Sequence, residues 1–154
     1  GSDSVSVKLY DFDAARWIDK GTGRSTAILP HGAILGTPGY MAPEQEHGGH
    51  VDHRADIYAF GVVMYEMLTN ACPYGQTTSF SDMVRTRLFG TPKPLRAFRH
   101  LNELPSSVDA LVRRCIERAP EKRPHDMTEV SAMLRDVALD LEEVGEMTQE
   151  LVAA

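Results

Sequence analysis

The chain is short of the features that mark several protein classes. It has only two cysteines, Cys72 and Cys115, far apart and without CxxC spacing. No secretory signal opens it, so both are read as reduced thiols in a cytoplasmic protein. Its longest apolar run, near Tyr58 to Leu68, is broken by Glu66 and falls well short of the roughly 20 residues that cross a bilayer. Cationic charge is scarce: 16 Lys and Arg stand against 22 Asp and Glu, a formal net charge of −6. The basic residues are scattered, which excludes the clustered patch of a nucleic-acid binder. No internal repeat of about 20 residues or longer is visible.

What is present is an ordinary domain composition, 42% hydrophobic and 25% charged over 154 residues, enough to bury a core. The opening Gly1-Ser2 has the form of a cleaved-tag remnant. Val5 to Phe12 alternates apolar and polar residues and predicts a short strand. Residues 19–40, rich in glycine, proline and hydroxyl residues, predict a long loop of the kind that carries function. Residues 55–69 are apolar on almost every side, which predicts a helix buried all round at the centre of the core.

Three further helices are predicted from capping-box spacing. The first starts at Ser79, with Asp82, and ends by Gly90. The second starts at Ser106, with Asp109, and carries Val108, Leu111, Val112, Cys115 and Ile116 on one face before Pro120. The third starts at Asp126, with Glu129. Its apolar positions run through Val130, Met133, Leu134, Val137, Leu141, Val144 and Leu151, and its other face is acidic from Asp136 to Glu150. His47, His50 and His53 stand three apart and could ligate zinc on a helix, but Gly48 and Gly49 oppose that helix, and exposed loop histidines are the favoured reading.

Several motifs follow one another in order: "DFD" at Asp11 to Asp13, "GTPGYMAPEQ" at Gly36 to Gln45, "DHRADIYAFGVVMYEMLT" at Asp52 to Thr69, "CPY" at 72–74 and "CIERAPEKRP" at 115–124. Each alone is weak, but the ordered set resembles the C-terminal lobe of bacterial serine/threonine kinases of eukaryotic type, from the DFG aspartate onward. The resemblance implies a mainly α, partial kinase lobe: a short N-terminal strand, an activation segment over 11–44, then a helical bundle. The lobe is expected over 3–135, after a tag remnant at 1–2 and before an acidic amphipathic helical extension at 136–154.

The resemblance also assigns roles. Asp11 matches the aspartate that holds magnesium on the ATP phosphates, and Phe12 the aromatic whose packing differs between active and inactive forms. Asp13 stands where the family has glycine, so the turn is expected to be stiffer. Ser25 and Thr26 are candidate regulatory phosphorylation sites, weighed evenly against plain solvated hydroxyls. Thr37 matches the threonine that shapes the substrate pocket in serine/threonine kinases. Glu44 matches the glutamate that pairs with the arginine present here as Arg123, a structural rather than catalytic unit. Asp56 matches the aspartate that holds the catalytic loop's amides.

The glycine-rich loop, the strand lysine and the catalytic-loop HRDxxxxN are absent from the sequence. The chain is therefore expected to be an inactive part of a longer kinase, which binds ATP and Mg2+ and phosphorylates protein Ser or Thr. Two alternatives are a pseudokinase scaffold and an oligomerisation module. The partners expected are protein substrates of the parent and a second copy of the chain, in a dimer exchanging its strand or activation segment; nucleic acid is excluded. The parent is expected in the cytoplasm, with or without a membrane anchor.

Overall fold

The computed structural model describes residues 6–8, 10, 37–46, 50–77 and 79–153. The described residues form helices α1 (Pro43–Glu46), α2 (Arg54–Thr69), α3 (Phe80–Phe89), α4 (Ser106–Cys115) and α5 (Met127–Ala153). Short 3-10 turns lie at Pro38–Tyr40 ahead of α1, at Leu95–Ala97 and Arg99–Leu101 between α3 and α4, and at Pro120–Lys122 between α4 and α5.

The mainly helical lobe expected from the sequence is what forms. Of the strand expected over 5–12, residues 6–8 and 10 belong to no regular element, and Val7 and Tyr10 are exposed; the rest lies outside the described residues. A strand exists only through ladder bonds to a neighbour, and no other strand occurs among the described residues to supply them.

The core is the α2–α4–α5 contact. Ile57, Tyr58, Val62 and Tyr65 of α2 are buried against Leu111, Val112 and Cys115 of α4, and Val130 and Val137 of α5 close the other side. Gly61 lets α2 and α4 approach closely: a Cβ there would stand 2.6 Å from Cys115 Cβ and 2.8 Å from Ile116 Cγ2. Helix α2 ends at Asn70, whose left-handed backbone (φ 52°) directs its N–H to Glu66 O, a C-terminal stop that asparagine tolerates.

Three sequence expectations need correction. Helix α2 is not buried all round: Val63 is 41% and Met67 80% exposed, on the same face as the exposed Asp56. The neighbours that bury Tyr58, Val62 and Tyr65 cover only the opposite face. At α4 the helix begins at Ser106 itself, with Pro105 as the cap and no side-chain cap bond. Asp109 is turned to another use, accepting from the Leu95 amide at 3.2 Å, so the capping box stays open. Along α5 the apolar positions Leu134, Leu141 and Val144 are 38 to 43% exposed: Leu134 lies off the stripe that buries Val130 and Val137, and the covering body does not extend to Leu141 and Val144.

The other two caps form. Ser79 Oγ accepts from the Asp82 amide at 3.1 Å and donates to its carboxylate at 2.8 Å. Asp126 Oδ1 accepts from the amides of Thr128 and Glu129, at 2.8 and 2.9 Å. Glu129 reaches back to the His125 amide at 2.6 Å. Helix α5 then runs unbroken across residues 135 and 136.

Candidate functional site

The segment 37–46 is tied to the helical body by two buried ion pairs. It starts at Thr37, exposed and extended, whose carbonyl accepts from the Tyr40 amide at 3.0 Å. Pro38 presets the first backbone angle of the 3-10 turn that follows. Ala42 and Pro43 are buried, and Glu44 sits in the short α1.

At the first pair, Arg123 uses every N–H of its guanidinium. Nη1 donates to Glu44 Oε1 at 2.7 Å and to Arg54 O at 2.9 Å. Nη2 donates to Glu44 Oε2 at 2.8 Å and to Arg118 O at 3.0 Å, and Nε to Glu117 O at 2.7 Å. The Arg123 side chain is fully buried and that of Glu44 is 9% exposed. A guanidinium has five donors in a fixed fork, so five good acceptors compensate its desolvation. The guanidinium also lies over the Tyr58 ring, 5.0 Å from its centroid, a favourable cation–π placement.

The second pair was not foreseen. Arg87 of α3, 3% exposed, donates through Nη1 to Glu46 Oε1 and through Nη2 to the carbonyls of Pro38 and Gly39, at 2.7 and 3.3 Å. Arg118 Nε in turn donates to Arg87 O at 2.9 Å. The only hint in the sequence is an arginine on the inward face of α3; nothing in its neighbours distinguishes it from a solvated one.

A third tie joins the segment to α2. Tyr40 donates its hydroxyl to Glu66 Oε2 at 2.6 Å, and the Cys72 thiol donates to Glu66 Oε1 at 3.2 Å. The hydrogen bond to Glu66 raises the Tyr40 phenol above its ordinary value. Burial, then Glu66, raises the Cys72 thiol.

Asp56 stands in the first turn of α2; its amide donates to the His53 carbonyl at 3.1 Å, and its carboxylate has no hydrogen bond among the described residues. Partial desolvation raises its carboxyl above the ordinary range. His50 is exposed, and His53 Nε2 donates to the His125 carbonyl at 2.7 Å, so that nitrogen keeps its proton and is not a metal ligand there. His47, Asp11, Phe12, Asp13, Ser25 and Thr26 lie outside the described residues. Among the described residues, no group of three His, Cys, Asp or Glu could hold a metal ion, and no helix is long and apolar enough to cross a membrane.

The sequence matches the family described as protein kinase domain over residues 2–134. It is 32% identical to serine/threonine-protein kinase pkn3 of Myxococcus xanthus over 131 residues, 85% of this chain and 24% of that protein. Serine/threonine-protein kinase A of Synechocystis is 35% identical over 79% of the chain and 22% of its own length. PknL of Mycobacterium tuberculosis is 34% identical over 91% of the chain and 33% of its own length. The chain thus spans between about a fifth and a third of the length of the curated relatives it matches.

Proposed function

Because the chain belongs to the protein kinase family, we propose that it forms the activation-segment and helical half of a serine/threonine protein kinase, which transfers the γ-phosphoryl group of ATP to protein serine or threonine. The observation that carries this reading is the double anchoring of 37–46, through Glu44 to Arg123 and through Glu46 to Arg87, which leaves Thr37 exposed. A segment held from Pro38 to Glu46, with the Thr37 side chain exposed beside it, suits a rigid platform for an extended protein substrate, since positioning carries much of the catalysis in phosphoryl transfer.

Protein kinases use ATP and Mg2+. In this reading Asp11 would hold the metal on the nucleotide phosphates, and the metal would neutralise charge developing on them. Asp56 would bind the amides of a catalytic loop supplied by a longer parent. Its exposed position and raised carboxyl suit a group awaiting donors. Ser25 and Thr26 are the proposed regulatory phosphorylation sites, and Phe12 the proposed packing switch. The chain alone, lacking the HRD aspartate and the strand lysine, transfers no phosphate.

The bare face of α2, with Val63 and Met67, supports a second element of the proposal. In the parent it is covered by preceding helices; in the isolated chain it favours a homo-oligomer, a dimer that exchanges the N-terminal strand or the activation segment. The test of the function is phosphotransfer to Ser, Thr and Tyr peptides by the longer protein and by the 154-residue chain. Phosphoserine or phosphothreonine from the former alone is expected, and transfer by the isolated chain or to tyrosine alone contradicts the reading.

A further inference from the structure

Helix α3 buries one residue, and it is a cation. Arg87 is 3% exposed, whereas Met83, Val84 and Leu88 of the same helix are only half-buried and Phe89 is 79% exposed. Stability alone does not call for an arginine there, since replacing a buried ion pair by well-packed apolar residues of similar volume is often neutral or stabilising. What a guanidinium adds is direction, because its donors form a rigid planar fork.

That fork spans the 37–46 segment. Nη1 donates to Glu46 at its end, and Nη2 to Pro38 O at 2.7 Å and Gly39 O at 3.3 Å near its start. Pro38 O takes a second, longer bond from the Met41 amide, at 3.4 Å. Peptide planes are rigid and the proline ring presets its own φ, so holding these two carbonyls fixes the planes on either side of Gly39. The Thr37 carbonyl is held in turn by the Tyr40 amide at 3.0 Å. The backbone from Thr37 to Tyr40 is thereby placed by α3, which is itself tied to the segment after α4 by Arg118 Nε donating to Arg87 O at 2.9 Å. The other buried arginine works elsewhere: Arg123 donates to Glu44 and to the carbonyls of Arg54, Glu117 and Arg118, none of them between Thr37 and Pro43.

We propose that Arg87 is a positioning residue for the protein substrate: by holding the Pro38 and Gly39 carbonyls it sets Thr37, exposed beside them, against the substrate segment that carries the acceptor hydroxyl. The inference rests on the kinase reading above. It gives Arg87 and Arg123 different work. Loss of the Arg123 pair strands a buried charge, whereas loss of the Arg87 fork misplaces Thr37 in a lobe that stays folded, and a misplacement of about 1 Å can cost on the order of 100-fold in rate.

The test is steady-state kinetics of the longer kinase that includes this chain, varying a serine- and threonine-containing peptide and ATP in turn. Arg87→Lys keeps a cation for Glu46 without the fork. Arg87→Met combined with Glu46→Gln removes the fork without leaving an uncompensated charge. In both, kcat/KM for the peptide is expected to fall at least about tenfold, while KM for ATP is unchanged and circular dichroism shows the lobe folded. A residue that served stability alone would leave the peptide kcat/KM intact wherever the protein is folded. Folded variants with undiminished peptide kcat/KM overturn the proposal, as does a matching rise in KM for ATP, or failure of both variants to fold, which would make the role structural. An unaltered kinase that transfers no phosphate overturns the kinase reading as well, so the two failures are told apart.

Discussion

Arg123 and Glu44, 79 residues apart in the chain, meet fork to fork at 2.7 and 2.8 Å with almost no solvent contact. Removing either partner leaves a buried charge uncompensated, which costs about 3 to 5 kcal/mol. Chemical denaturation of Glu44→Ala, Arg123→Ala and the double variant is expected to give a double cost clearly below the sum of the singles. Strict additivity would mean that the two side chains do not interact.

Arg87 serves the same segment from the opposite side. Arg87→Ala removes the guanidinium that Glu46 and the Pro38 and Gly39 carbonyls accept from, and Arg87→Lys, with one ammonium in place of a fork, cannot span Glu46 and Pro38 O together. Both variants are expected to speed proteolytic cleavage within 37–46 while α4 and α5 stay protected. Unchanged cleavage would show that the Glu44 and Tyr40 ties hold the segment without Arg87.

Two glycines in helices should respond in opposite ways. Gly61→Ala drives a methyl into Cys115 and Ile116 and is expected to destabilise by about 1 to 3 kcal/mol through overpacking. Gly145→Ala, where a Cβ meets nothing within 4 Å, is expected to stabilise by up to about 1 kcal/mol through helix propensity. Thermal melts of both variants decide the matter.

Stability should fall at both ends of the pH scale. Asp126 and Glu129 are held below their ordinary values, first by the backbone amides they accept from. Their contribution is present above the unfolded carboxylate range and is lost as pH falls through the lowered folded values. Burial raises the Cys115 thiol to about 11. Its contribution is full below the ordinary thiol value and is lost as pH rises from there towards 11. Circular dichroism melts of Asp126→Asn and Cys115→Ala across pH should each flatten one limb only.

The helices were legible because they were written in short-range signals: Ser79 with Asp82, Asp126 with Glu129, and the spacing of Leu111, Val112 and Cys115. The Ser106 cap misled because the same spacing does not reveal that Asp109 is needed by the Leu95 amide, a partner 14 residues away. The exposed face of α2 misled for a related reason. Composition reports that Val63 and Met67 are apolar, whereas their burial depends on which neighbours pack there. Glu44 and Arg123 could be paired in advance only through the family resemblance. Glu46 with Arg87 carried no such marker, and its partners lie 41 residues apart in the chain.

The most direct measurement is phosphotransfer from labelled ATP to a serine- and threonine-containing protein substrate by the longer kinase that includes this chain, compared with the same protein carrying Thr37→Ala and with the isolated chain. The account predicts phosphoserine or phosphothreonine from the unaltered kinase, a large loss of turnover in Thr37→Ala with folding intact, and none from the chain alone. A longer protein that carries the HRD aspartate and the strand lysine yet transfers no phosphate would contradict it.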